Sequence, residues 1–126
     1  SIDGGGSFML PRLVGLARSL EIMAFDEPIE AQKALDWGMV TQVTKESDVV
    51  DEAMVIAKRL IAGSSNSFAW SKRLLNSSFN NSLESQLEQE RTGLSACAAH
   101  ADGQEGVQAF QEKRKPVFNP AMAKNR

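Results

Sequence analysis

Apolar residues recur along this chain at the three-to-four-residue spacing of a helix, and almost nowhere at the two-residue spacing of a strand. Leu16, Leu20, Met23 and Ala24 put one apolar face on the segment 16–25. Val50, Ala53, Met54, Ala57, Leu60 and Ile61 do the same over 47–63, with Ser47 or Asp48 as N-cap and Gly63 as stop. A short helix is expected over 29–38, after Pro28 and ended by Gly38. Another runs over 66–79. A longer one starts at Asn81, with Glu84 placed for a capping box and a thin stripe of Leu83, Leu87, Leu94 and Ala98. In the last helix Asp102 and Glu105 form a capping pair, Val107 and Phe110 pack, and Pro116 is the stop. Near the start, Phe8, Leu10, Leu13, Val14 and Leu16 predict a helix broken at Gly15, with Pro11 in its first turn.

Only "MVTQV", Met39 to Val43, alternates and carries two valines, which predicts one short strand. A lone strand leaves its backbone groups unpaired, and no second strand is read. The chain also opens inside a glycine loop. Together these features lead to the expectation of a unit completed by further chain. Helices alone would otherwise have to build a small bundle.

The 126 residues suffice for one domain with a modest core. A formal net charge of −2 gives no global basic field, so a polyanion would need a local patch and no nucleic-acid partner is expected. No apolar run reaches the ~20 residues of a membrane span. Cys97 is the single cysteine and His100 the single histidine. That excludes an internal disulfide, fits a reducing, cytoplasmic compartment, and provides too few ligands for a dedicated metal site.

"DGGGS" (3–7) precedes the first helix. Glycines there let backbone approach a ligand, and a helix N-terminus attracts anions. The stretch serves equally as a flexible lead-in with Asp3 as a cap. Without GxGxxG spacing or a Gly-Lys-Ser/Thr ending, a nucleotide-binding loop is not supported. "EKRK" (112–115) puts three cations at a helix end, where they complement the dipole as a solvated terminus or meet phosphates. Phe110 lies three residues before Lys113 on one helical face. Such a pair suits a nucleotide base and its phosphate, or Phe110 is simply core. Cys97, His100, Trp37 and Trp70 read as structural.

Taken in order, "DGGGSFMLPRLVGLARSLEIM", "EPIEAQKALDWGMVTQV" and "EGVQAFQEKRKPVF" resemble the C-terminal half of the enoyl-CoA hydratase/isomerase (crotonase) superfamily. The specific parts are the Gly-Gly-Ser run into Leu-Pro-Arg-Leu-Val-Gly, the Ala-x-x-Trp-Gly-x-Val turn, and the Glu-Gly-x-x-Ala-Phe-x-x-Lys-Arg-Lys-Pro-x-Phe ending. The resemblance implies an α/β spiral of ββα units with a helical trimerisation region behind it. This chain would be its mainly α C-terminal part. Residues 1–46 would end the core with its active-site loop, helices and short strand. Residues 47–119 would be the helical oligomerisation region, and 120–126 a loose tail.

Such enzymes bind acyl-CoA thioesters and hold the forming enolate with two backbone N–H donors. The resemblance puts those donors, and the two glutamates of typical hydratases, in the half that is not matched here. The chain alone is therefore expected to be inactive. Asp3 matches the loop position that faces the acyl chain. It is a glycine in typical hydratases, and an acidic residue in dienoyl-CoA isomerases, a ring-opening epoxyphenylacetyl-CoA isomerase and a chlorobenzoyl-CoA dehalogenase. The resemblance thus makes Asp3 the candidate catalytic residue, as proton shuttle or nucleophile. Phe110 and Lys113 match the family's Phe and Lys near the CoA nucleotide, usually in a neighbouring subunit's site. The implied substrate is a CoA thioester, with no separate cofactor and no metal. The implied assembly is a homo-oligomer, trimeric or hexameric in the intact enzyme. A rival reading is a helical oligomerisation module without chemistry, and a third is a small CoA-binding domain.

Overall fold

In the computed structural model, which describes residues 2–118, the fold is carried by α-helices, and no strand forms among the described residues. The chain divides into two units, Ser1–Val49 and Val50–Arg126.

The first unit holds α1 (Gly6–Val14), α2 (Leu16–Phe25) and α3 (Ala31–Asp36). The residues 3–6 make a tight turn closed by the Gly6 N–H donating to the Asp3 carbonyl at 2.9 Å. Gly4 (φ +56°) and Gly5 (φ +85°) are both left-handed, the pattern of a type I′ turn, which glycine adopts without steric cost. Because this turn already supplies the N-cap at Gly5, α1 begins at Gly6 and Pro11 falls inside the helix rather than in its first turn. Gly15 (φ +81°) separates α1 from α2, which pack together and bury Val14. Gly38 (φ +73°) stops α3 as expected: its N–H donates to the Leu35 carbonyl, and the Met39 N–H to that of Ala34, both at 2.9 Å. The expected strand at Met39–Val43 does not form. Its valines have strand propensity, but the described residues offer no second strand to complete a ladder.

A 3-10 turn (Glu46–Asp48) leads into α4 (Val49–Ile61). The second unit continues with α5 (Ser65–Ser77), α6 (Leu83–Ala99) and α7 (Ala101–Gln111), α5 packing on α6 and α6 on α7. Ser64 caps α5, accepting from the Ser67 N–H at 3.2 Å; Ser82 caps α6, accepting from Ser85 at the same distance. The helix therefore starts one residue later than an Asn81–Glu84 box would have it. Nor do Asp102 and Glu105 form a capping pair. Because α6 runs to Ala99 and α7 starts at Ala101, only His100 separates them, and its Nδ1 accepts the Asp102 N–H at 3.1 Å. Asp102 and Ala109, seven residues apart and so on one face of α7, are buried. Val107 and Phe110 lie off that face and do not pack; Phe110 is 85% exposed. Large apolar side chains stay open elsewhere too, among them Leu83, Leu87 and Leu94, the last 73% exposed.

Candidate functional site

Asp3 sits at the first position of the left-handed turn, exposed, with its backbone carbonyl fixed by Gly6. The adjacent Ile2 lines an apolar cavity of about 150 Å³ together with Leu10, Pro11, Leu16, Leu20 and Met23. The α1–α2 corner creates this hollow, since Gly15 turns the chain so that both helices offer aliphatic side chains to it. Ser7 and Ser19 also line it, the Ser19 hydroxyl donating to the Gly15 carbonyl at 2.7 Å. Arg12 leans back over the Phe8 ring, 3.5 Å from its centroid, and donates to the Phe8 carbonyl at 2.6 Å. Trp37, half-buried, takes Lys33 at 4.4 Å and Arg18 at 5.2 Å over its ring.

In the second unit α7 ends at Gln111, before Pro116, because the chain turns left-handed at Lys113 (φ +55°). The Lys113 N–H donates to the Phe110 carbonyl at 3.2 Å and the Arg114 N–H to that of Ala109 at 3.0 Å. That is the bonding of a Schellman motif with lysine in the place glycine usually holds. Lys113 therefore lies past the helix end and not on one helical face with Phe110 as expected; the two meet through the backbone bond, and both side chains are exposed.

An ion-pair cluster underlies this turn. The Arg114 guanidinium forks onto both Glu105 oxygens, Nη1 to Oε1 at 2.6 Å and Nη2 to Oε2 at 3.0 Å, and its Nε donates to Glu112. Glu105 Oε1 also accepts the Val117 N–H at 2.7 Å. The Arg114 hydrogen bonds, then that of the Val117 amide, hold the Glu105 carboxyl down at about 2. Arg114 and then Gln108 lower Glu112 too. Of the three cations in "EKRK", Arg114 is thus committed to carboxylates, while Lys113 and Lys115 face solvent.

Two polar contacts escape the sequence. One is the Glu105 clamp, since no helical rule links a carboxylate to an arginine nine residues on and past the helix end. The other is Asp102, which accepts from the Ser64 hydroxyl at 2.7 Å and ties the start of α7 to that of α5. Asp3 belongs to the first unit, and Phe110 and Lys113 to the second.

Comparison with known proteins fits this geometry to a family. The enoyl-CoA hydratase/isomerase family profile matches residues 1–121. The chain is 34% identical over 116 residues to the 1,2-epoxyphenylacetyl-CoA isomerase of Escherichia coli, covering 92% of this chain and 44% of the relative. It is 38% identical over 114 residues to a probable enoyl-CoA hydratase of Bacillus subtilis, covering 90% of this chain and 44% of the relative. Among solved structures, an enoyl-CoA hydratase from Polaromonas superposes with a TM-score of 0.87 at 37% identity, over 94% of this chain and 46% of that one. The chain thus spans a little under half the length of these relatives, as expected of a C-terminal half, and its helical architecture is that of the matching part of crotonase-fold proteins. By the extent of that match, the chain belongs to the enoyl-CoA hydratase/isomerase family.

Proposed function

We propose that this chain forms part of an acyl-CoA enzyme that works through the enolate of a CoA thioester. The observation that carries the reading is the left-handed turn at residues 3–6 beside an apolar cavity, on a chain of this family. The acyl group lies along the cavity, beside the turn that carries Asp3. Asp3 takes a proton from an acyl carbon as charge moves onto the thioester oxygen, then returns it to another carbon. In a neighbouring subunit's site, Phe110 stacks on the adenine and the Lys113 ammonium meets CoA phosphate. No metal or further cofactor takes part. The oxyanion donors belong to the half of the enzyme that this chain does not match, so the chain alone turns over no substrate.

Residues 1–46 act as the end of the catalytic core and 47–119 as the oligomerisation region; the 120–126 tail lies outside the described residues. The open stripe of Leu83, Leu87 and Leu94 supports a homo-oligomer, trimeric or hexameric in the intact enzyme. The same stripe favours the second reading, a helical oligomerisation module without chemistry. No helix among the described residues is long and apolar enough to cross a membrane, and the free Cys97 suits the cytoplasm. Calorimetric titration with coenzyme A separates the two readings. Binding that weakens about tenfold in Lys113→Ala supports the enzyme part, in line with a charge-assisted hydrogen bond. No heat of binding leaves the module alone standing.

A further inference from the structure

We infer that Glu105 is a positioning residue for coenzyme A: by clamping Arg114 and the Val117 amide it fixes the left-handed turn that sets Lys113 at the end of α7. The inference rests on the CoA reading above and assigns the residue that prepares the site.

Lysine at φ +55° is in a conformation that an L-residue populates roughly 5- to 30-fold less readily than the right-handed one. The two Schellman bonds close the turn, yet such turns usually rely on glycine for their handedness. Here something else must hold it. Glu105 stands on α7, and its carboxylate grips the residue directly after Lys113 through two parallel bonds and the amide of Val117 through a third. The segment 114–117 is thereby bound back to α7. Lys113, caught between the helix end and the clamp, has its backbone direction set from both sides. The clamp also neutralises Arg114, so that at this turn Lys113 rather than Arg114 offers a free charge.

This assignment makes a prediction opposite in sign to simple electrostatics. Removing a carboxylate near a phosphate site should strengthen phosphate binding, by relieving repulsion and freeing Arg114. Loss of positioning instead lowers the competent fraction and weakens binding in proportion. The test is a cycle of Glu105→Gln, Lys113→Ala and the double variant in the full chain, titrated with coenzyme A, with the HN–Hα coupling of Lys113 read by NMR. The expected result is about fivefold weaker binding in Glu105→Gln, no further loss in the Lys113→Ala background, and a Lys113 coupling that moves away from the left-handed value. Unchanged or tighter binding in Glu105→Gln, or an equal loss in both backgrounds, overturns the assignment while leaving the CoA reading intact. Failure of the unaltered chain to bind overturns the CoA reading. The Lys113 coupling then decides on the clamp alone, and an unchanged coupling in Glu105→Gln rejects it. Arg114→Gln opens the same clamp from the other side and takes the place of Glu105→Gln if that variant does not fold.

Discussion

Three glycines inside helices should respond to alanine in three different ways. At Gly103, near the start of α7, a Cβ would stand 2.1 Å from the Cys97 carbonyl oxygen and 3.0 Å from the Ala98 Cα. An ordinary carbon–oxygen contact is about 3.3 Å, so the α6–α7 joint would have to open by roughly 1.2 Å. The obstacle is backbone, which has no rotamer to turn to, so the overpacking cost belongs near the upper end, about 3 kcal/mol. Alanine regains about 1 kcal/mol of helix propensity. The net loss of about 2 kcal/mol lowers the folded-to-unfolded ratio roughly 30-fold. At Gly93 the nearest atoms are Trp70 Cε3 at 3.0 Å and Leu74 Cδ1 at 3.4 Å. These are side chains that can yield, so the change comes out near zero. At Gly106 the nearest neighbours are Phe118 ring atoms at 3.8 and 3.9 Å, ordinary contact, and alanine should stabilise by about 1 kcal/mol. Urea unfolding followed by far-ultraviolet circular dichroism gives the ranking. Gly106→Ala should be most stable, the parent and Gly93→Ala intermediate, and Gly103→Ala least. A Gly103→Ala variant as stable as the parent would refute the close α6–α7 crossing.

Other expectations concern polar groups. Ser64→Ala removes both the α5 cap and the donor to the buried Asp102 carboxylate, and should cost about 2 kcal/mol in the same assay. A cost under about half a kcal/mol would mean that Asp102 is satisfied without it. Glu105 titrates at about 2 in the folded chain against 4.5 as its ordinary value. A depressed carboxyl contributes stability that is fully present above the unfolded value and is lost as pH falls through the folded one. Stability should therefore decline from about pH 4.5 towards pH 2, and less steeply in Glu105→Gln. Parallel acid profiles of the two chains would count against the clamp.

What the sequence made legible was what depends on near neighbours. The break at Gly15 and the stop at Gly38 follow from the residue type that takes positive φ at no steric cost, whereas the apolar face read on α2 stays open, with Leu16 and Leu20 exposed and Ser19 the buried residue. What it hid depends on partners distant in the chain. Asp102 and Glu105 have the spacing of a capping pair, but the cap passed to His100 once α6 ran on to Ala99. The two acids were then free for Ser64 and Arg114. Met39–Val43 has strand residues and no strand among the described residues to pair with. Lys113 conceals a left-handed turn because no glycine marks it. At the candidate site, Asp3, Phe110 and Lys113 were reached through the family resemblance, whereas Glu105 emerges only from the geometry.

The turn at residues 3–6 sets a demand of an unusual kind. Around the missing Cβ of Gly4 and of Gly5 nothing lies within 4 Å, so space is not what excludes a side chain there. The restriction is one of chirality. A D-alanine at either position would follow the backbone without strain, whereas its L-counterpart would oppose it. Glycine is there as the only encoded residue indifferent to hand, and the first step of the chain towards α1 is one that ordinary L-residues resist.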